Sequence, residues 1–298
     1  MFRTLPLLAA LLGATPALAQ AASGHVASAP ADTARPFTVE RVGRGRPMIL
    51  IPGLASSGEV WRGTVAHFRD RYQLHVLTLA GFGGAPPLPG DRYLEAERDA
   101  VIRYIREQKL DHPVLVGHSL GGFLALWIAA SAPELVGPVV SVDGVPYLPV
   151  LGDSTTTPER MRPQAEQVRA LYASLAPDQM AMQSAMALRA MMKDSANREM
   201  GVRWSRASDP ATVGRAVSEM LTTDLRGQVA AIRSPLLLVA SGDGQAPEER
   251  GRTLAAYEAQ VARVPRHRVV MAENARHFVM LDDPAFLFST MDAFLATP

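Results

Sequence analysis

Residues 114–122 read Val114-Leu115-Val116-Gly117-His118-Ser119-Leu120-Gly121-Gly122. The apolar start predicts a short buried strand, and the apolar run that follows the glycines predicts a helix. A serine between glycines at such a junction occupies a sharp turn that lifts its hydroxyl clear of the sheet. The helix N-terminus directs its amides toward developing negative charge. Ser119 is therefore the candidate nucleophile.

Short β-like segments alternate with helical patterns along the rest of the chain, which predicts an α/β fold. The expected architecture is a mostly parallel central sheet flanked by helices. The expected strands are 37–43, 47–51, 73–79, 114–116, 139–142, 236–239 and 268–271. We expect the first two strands to form a hairpin at the sheet edge.

Residues 146–226 interrupt this alternation, because they contain no clear strand and eight of the thirteen methionines. We predict a helical cap inserted into a core that comprises residues 36–145 and 227–298. The methionines either line a pocket or fill the cap's own core. The helices of the cap are expected to be separated at four prolines, Pro158, Pro163, Pro177 and Pro210.

The N-terminus has the pattern of a secretory signal peptide over residues 1–19, with one early cation, an apolar run and a small-residue motif before Gln20. Residues 20–35 predict a flexible lead-in. We therefore expect an exported bacterial protein, periplasmic or secreted. The apolar run is too short for a stable membrane span.

A serine nucleophile needs a base, and His277 follows the last predicted strand and comes after Ser119 in the chain. A third residue, an acid, must orient this histidine. Asp143 and Asp243 each follow a predicted strand, so both are candidates. An oxyanion hole needs two amides, for which Leu120 and Leu54 are the candidates.

Composition limits the alternatives. The 298-residue chain has a formal net charge of +1 and no basic run, so we expect no nucleic-acid partner. It has no cysteine, which excludes disulfides and a thiol nucleophile. Its seven histidines show no metal-binding spacing, and we expect neither a metal nor another cofactor.

These motifs together resemble the α/β-hydrolase superfamily, near its esterase and lipase-like members. The resemblance covers residues 37–298 and includes further motifs at 51–54, 79–84 and 275–278. Pro52 stands where relatives often have histidine, which leaves the amide role of Leu54 intact. The resemblance implies that residues 146–226 are the family's cap.

The acid departs from the family's commonest pattern. Most members have it after the seventh strand, nine residues past a proline, whereas Asp243 lies eight past Pro235. Some members, such as haloalkane dehalogenases, have it after the sixth strand, which matches Asp143. The segment 142–146 also resembles exported bacterial hydrolases with methionine-rich caps. We favour Asp143, with Asp243 as the alternative.

The resemblance implies a serine hydrolase that acts on a small, apolar carboxylic ester through an acyl-enzyme. Amide, lactone or carbon–carbon bond hydrolysis, acyl transfer and perhydrolysis use the same residues and stay open. A binding or receptor protein on the same scaffold is the alternative of a different class. The sequence does not determine the oligomeric state.

Overall fold

The computed structural model describes residues 36–296. The predicted signal peptide (1–19) and lead-in (20–35) lie outside the described residues. Seven strands form one sheet in the order β1-β3-β2-β4-β5-β6-β7, with only β1 antiparallel to its neighbour. The strands are β1 Phe37–Gly43, β2 Arg46–Ile51, β3 Tyr72–Leu79, β4 Val114–His118, β5 Val139–Val142, β6 Leu236–Ser241 and β7 His267–Ala272.

Helices cover both faces of this sheet, and the predicted α/β architecture is confirmed. Among residues 36–296, no helix is both long and apolar enough to cross a bilayer. The α-helices are α1 Arg62–Phe68, α2 Tyr93–Glu107, α3 Leu120–Ser131, α4 Pro158–Ala173, α5 Pro177–Met191, α6 Ser195–Arg206, α7 Pro210–Thr222, α8 Pro247–Val261, α9 Val279–Asp282 and α10 Pro284–Leu295.

The expected hairpin of the first two strands is wrong. β1 pairs with β3 instead, while β2 lies between β3 and β4 and is parallel to both. The reason is burial: residues 48–51 are completely buried, so both faces of β2 need cover. An apolar strand of this kind belongs inside a parallel sheet, whereas the half-exposed β1 can occupy the edge.

Four helices, α4 to α7, lie between β5 and β6 and form the cap. Pro158, Pro177 and Pro210 each occupy the first turn of a helix, where a missing amide hydrogen costs nothing. The expectation that Pro163 separates helices is wrong, because it lies inside α4. Its ring is exposed and it removes only one backbone hydrogen bond, so the helix continues through it.

The cap is attached to the core by polar contacts. The carboxylate of Glu219 on α7 accepts hydrogen bonds from the amides of Tyr93 and Leu94, both at 2.7 Å. These amides belong to the first turn of α2 and would otherwise lack acceptors. The negative charge of the carboxylate is also attracted by the positive end of the helix dipole. In addition, the Trp204 indole on α6 donates to Glu59 of the core at 2.9 Å.

The loop after β3 forms a second attachment. Its Gly81 carbonyl accepts a hydrogen bond from the amide of Asp209 at 2.7 Å, and the Gly84 amide donates to Ala207 at 3.0 Å. Below the loop, the buried Glu97 on α2 accepts a hydrogen bond from the amide of Ala80 at 2.9 Å. Burial raises the pKa of Glu97 to about 8, so this acid is neutral at pH 7.

We predict that Glu97→Gln makes the protein less sensitive to rising pH. In the unfolded chain Glu97 loses its proton near pH ~4.3, whereas in the folded chain it loses it only near pH 8. Between these values the folded state holds a proton that the unfolded state lacks, so the free energy of unfolding falls as the pH rises. The glutamine keeps an acceptor for Ala80 and cannot ionise.

Thermal unfolding from pH 5 to pH 9 tests this prediction. The Tm of wild type minus that of Glu97→Gln should fall by about 5 °C or more between pH 5 and pH 9, because only the wild type loses stability through this group. Glu107→Gln changes an exposed glutamate on the same helix and is the matched control. Parallel Tm curves for all three proteins would contradict a buried neutral Glu97.

Candidate active site

Ser119 occupies the sharp turn between β4 and α3. Its backbone has φ +54° and ψ −117°, a conformation that L-residues rarely adopt. A Cβ at Gly117 would overlap the carbonyl of Gly121, and a Cβ at Gly121 would overlap the carbonyl of Ile51. The turn is therefore possible only with glycine at both flanking positions. The amide of Ser119 donates to the Val142 carbonyl at 2.9 Å and ties the turn to β5.

His277 and Asp143 form a buried hydrogen bond. Nδ1 of His277, in the loop after β7, lies 2.6 Å from Oδ2 of Asp143, which follows β5. Both side chains are almost completely buried. Because a carboxylate can only accept, Nδ1 carries the hydrogen and Nε2 of the neutral ring has a free lone pair. Ser119 and His277 line the same cavity.

Three further donors hold Asp143. The amide of Ser241 donates to Oδ1 at 3.0 Å, its hydroxyl donates to Oδ2 at 2.9 Å, and the Tyr257 hydroxyl donates to Oδ1 at 2.9 Å. Burial opposes ionisation, but the hydrogen bonds from His277, Ser241 and Tyr257 outweigh it. The pKa of Asp143 therefore lies below its usual range, and the group is a carboxylate.

Asp243, the alternative acid, has different partners. Its carboxylate pairs with Arg276 at 3.1 Å and with Lys193 at 3.4 Å. No hydrogen bond joins Asp243 to His277 in the part of the chain that the structure describes. The structure thus brings Asp143, and not Asp243, to the histidine.

His118 lies behind the cavity and supports its wall. Its ring is fully buried, and Nε2 donates to the His277 carbonyl at 3.0 Å. Burial lowers the pKa of His118 well below its usual range, and a proton on the neighbouring His277 would lower it further, so the His118 ring stays neutral. It therefore fixes the position of the His277 backbone without adding charge.

The two candidate oxyanion amides stand free. Neither the Leu54 amide nor the Leu120 amide has an acceptor among the described residues. Gly53, in the loop after β2, lies close to both His118 and Ser119. A Cβ at this position would lie 2.8 Å from Nδ1 of His118 and 3.2 Å from Cβ of Ser119. The absence of a side chain lets the loop after β2 approach the nucleophile.

The cavity contains about 890 Å³ of space free of protein atoms, open solvent at its mouth included. The cap contributes a mostly apolar wall, and no Asp, Glu, Lys or Arg belongs to the lining that the structure describes. Both uses of the cap methionines weighed above occur, since three of them line the cavity while Met200 packs in a buried cluster. Met182 does neither, because its side chain is exposed. The apolar wall residues from the cap include Met180, Leu188, Met191, Val213 and Met220.

Comparison with known families identifies the fold. The model of the family described as alpha/beta hydrolase fold matches residues 46–284. This chain belongs to the alpha/beta hydrolase fold family. The membership confirms the resemblance noted in the sequence and supports the prediction that the chain is an enzyme.

Individual relatives agree with that membership. A pimeloyl-[acyl-carrier protein] methyl ester esterase of Aeromonas salmonicida is 33% identical over 109 residues, which cover 37% of this chain but only 42% of that protein. The esterase of the same name from Nitrosomonas europaea is 24% identical over 86% of this chain and 98% of its own length. A hydrolase of Pseudomonas aeruginosa superposes with a TM-score of 0.71 at 17% identity, over 88% of this chain and 94% of its own.

Two residues of the site were not found from the sequence. Ser241 contacts Asp143 because β6 pairs with β5, and Tyr257 contacts it from α8, which packs against β6 and β7. Neither residue belongs to a motif. Asp243 was the alternative acid because of its spacing from Pro235, the residue directly before β6. A search for hydroxyl side chains near the end of the strand next to the acid would have selected Ser241.

We predict that Gly53→Ala destabilises the folded protein by about 1–3 kcal/mol, because the added methyl group overlaps the buried His118 ring. Gly251→Ala is the matched control. Gly251 is exposed within α8 and has open space around it, so alanine there should stabilise the helix by up to about 1 kcal/mol. Urea unfolding of both variants measures the difference, and equal effects would contradict the close approach described here.

Proposed function

We propose that this enzyme is a serine hydrolase that cleaves carboxylic esters, with Ser119 as nucleophile, His277 as general base and acid, and Asp143 as the residue that orients His277. The observation that carries the proposal is the 2.6 Å hydrogen bond from His277 Nδ1 to the buried Asp143 carboxylate. In the neutral ring this bond keeps the hydrogen on Nδ1, so that Nε2 can accept the proton of Ser119, which lines the same cavity.

The reaction follows from these positions. Nε2 of His277 takes the proton of the Ser119 hydroxyl while Oγ bonds to the acyl carbon of the ester. The amides of Leu54 and Leu120 stabilise the negative oxygen that forms. His277 then gives its proton to the leaving alcohol, and the acyl group stays on Ser119. A water molecule repeats the sequence, which releases the acid and restores the serine.

The site and the relatives favour an ester as the substrate. The long match to a methyl ester esterase of Nitrosomonas europaea suggests the bond type. The lining of the cavity is mostly apolar and uncharged, which favours an uncharged and largely apolar group beside the reacting carbonyl. Asp143 carries its charge behind His277, where it steadies the cationic ring that forms during the reaction.

We predict that the protein from Gln20 onward hydrolyses p-nitrophenyl esters of graded acyl length and that Ser119→Ala lowers kcat at least about 10³-fold. A fluorophosphonate should label Ser119 in the wild type and nothing in the variant. Labelling without turnover of any ester would instead support amide, lactone or carbon–carbon bond cleavage. Neither labelling nor turnover would contradict the proposal and favour a receptor.

We predict that Asp143→Asn lowers kcat by about 10³–10⁴-fold, because the amide no longer holds His277 in the tautomer that accepts the serine proton. Asp243→Asn is the matched control, since Asp243 pairs with two surface cations, and it should retain kcat within about threefold. Steady-state kinetics of both variants checks this prediction. The reverse order of effects would reassign the acid.

We propose that the enzyme acts outside the bacterial cytoplasm, on the basis of the signal-peptide pattern in residues 1–19. Expression of the full chain in a Gram-negative host, followed by cell fractionation and N-terminal sequencing, tests this proposal. The expected product is a periplasmic or secreted protein that begins at Gln20. A cytoplasmic protein that retains Arg3 would contradict it.

A further inference from the structure

Two serine hydroxyls meet on the cap wall of the cavity. Ser184 on α5 and Ser205 on α6 have their Oγ atoms 2.6 Å apart, and both residues line the cavity. The two helices approach closely here because Gly201 lies one turn before Ser205. A Cβ at Gly201 would be 2.8 Å from a methyl group of Leu188. The close packing of the two helices at Gly201 therefore places the two hydroxyls together.

The pair has one hydroxyl hydrogen to spare. Two hydroxyls carry two hydrogens, and the bond between them uses one. Serine and threonine in helices often donate to the carbonyl one turn earlier, as Thr222 does in α7 of this cap. Neither Ser184 nor Ser205 does so, and no other acceptor for the second hydrogen lies among the described residues. Ser205 is buried and Ser184 is half-buried. When a substrate fills the cavity and excludes water, a donor without an acceptor is costly, so the substrate must supply the acceptor.

Gln183 adds a second polar group next to the pair. It lines the same cavity, and its side-chain amide has no hydrogen-bond partner within residues 36–296. The surrounding wall is apolar, with Met180 and Leu188 on α5 and Trp204 on α6. No cation lines this region of the described structure, so a carboxylate bound here would lack a counter-charge.

We propose that Ser184, Ser205 and Gln183 form a subsite for a neutral hydrogen-bond acceptor, an ether, ketone or amide oxygen, carried by the substrate at a distance from its scissile ester. The inference rests on the proposed function and narrows its substrate class. A plain hydrocarbon chain would leave the spare hydrogen unpaired in a dry cavity, and a carboxylate would be desolvated without a cation. A neutral oxygen accepts the hydroxyl hydrogen and carries no charge that would have to be desolvated.

The test uses p-nitrophenyl octanoate and a series of analogues in which one methylene after another is replaced by an ether oxygen. For each analogue we take the ratio of its kcat/KM to that of the octanoate. Chemical reactivity differs between the esters, but that difference cancels when the same ratio is compared between two enzymes. The enzymes are wild type, Ser184→Ala/Ser205→Ala, and Ser174→Ala, whose hydroxyl donates within α4 and lies outside the cavity lining.

We expect one ether position at which the ratio falls about three- to tenfold from wild type to the double variant, while Ser174→Ala keeps the wild-type ratio. Should the double alanine variant not fold, Ser184→Cys/Ser205→Cys offers the same comparison, because thiols are weaker donors of similar volume. This variant is assayed with a reductant, so that no disulfide joins the two adjacent thiols. The monoester of octanedioic acid should be a poorer substrate than the octanoate for wild type.

Ratios that are equal in wild type and the double variant at every ether position would overturn the subsite, even with rapid turnover of the octanoate. A preference for the octanedioic monoester would overturn it as well, because it would require a cation in the cavity. Absence of both ester turnover and fluorophosphonate labelling of Ser119 would instead reject the proposed function, and the subsite with it.

Discussion

The hydrogen bond between His277 and Asp143 is the contact on which the rest of the site depends. The two residues lie 134 positions apart in the chain, yet their side-chain atoms are 2.6 Å apart. A parallel sheet makes this possible, because the carboxyl ends of β5 and β7 lie at one edge of the sheet with only β6 between them. The sheet therefore brings together a carboxylate and an imidazole that are distant in the chain.

Such a contact is expensive, and the surrounding residues offset its cost. A buried carboxylate requires donors for its lone pairs, which Ser241 and Tyr257 supply in addition to His277. Ser119 and Asp143 also hold positive φ angles of 54° and 52°, each costing about 1–3 kcal/mol. Their amides bond to the neighbouring strands, at Val142 and Val239, which keeps both turns in place. Burial of the apolar strands beneath the site offsets the free-energy cost of these two strained turns.

Local patterns in the sequence were sufficient for the strands and for the turn at Ser119. The pairing of the strands was harder to predict from sequence. β1 pairs with β3 rather than with β2 because β2 is buried on both faces and lies inside the sheet. The acid stayed ambiguous for a similar reason: Asp143 and Asp243 both follow a strand and precede a glycine, and only packing shows that Arg276 and Lys193 engage Asp243. Tyr257 contacts the site from α8 through tertiary packing alone, so no motif could reveal it.

The central claim is that Ser119 carries the acyl group during turnover. The most direct test is to mix the enzyme with p-nitrophenyl acetate, quench the reaction with acid during the first turnover, and locate the added mass by peptide mapping. We predict one acetyl group per chain, on Ser119, formed together with an equivalent burst of p-nitrophenol. Turnover without any acetylated serine, or acetylation of a different residue at full activity, would contradict it.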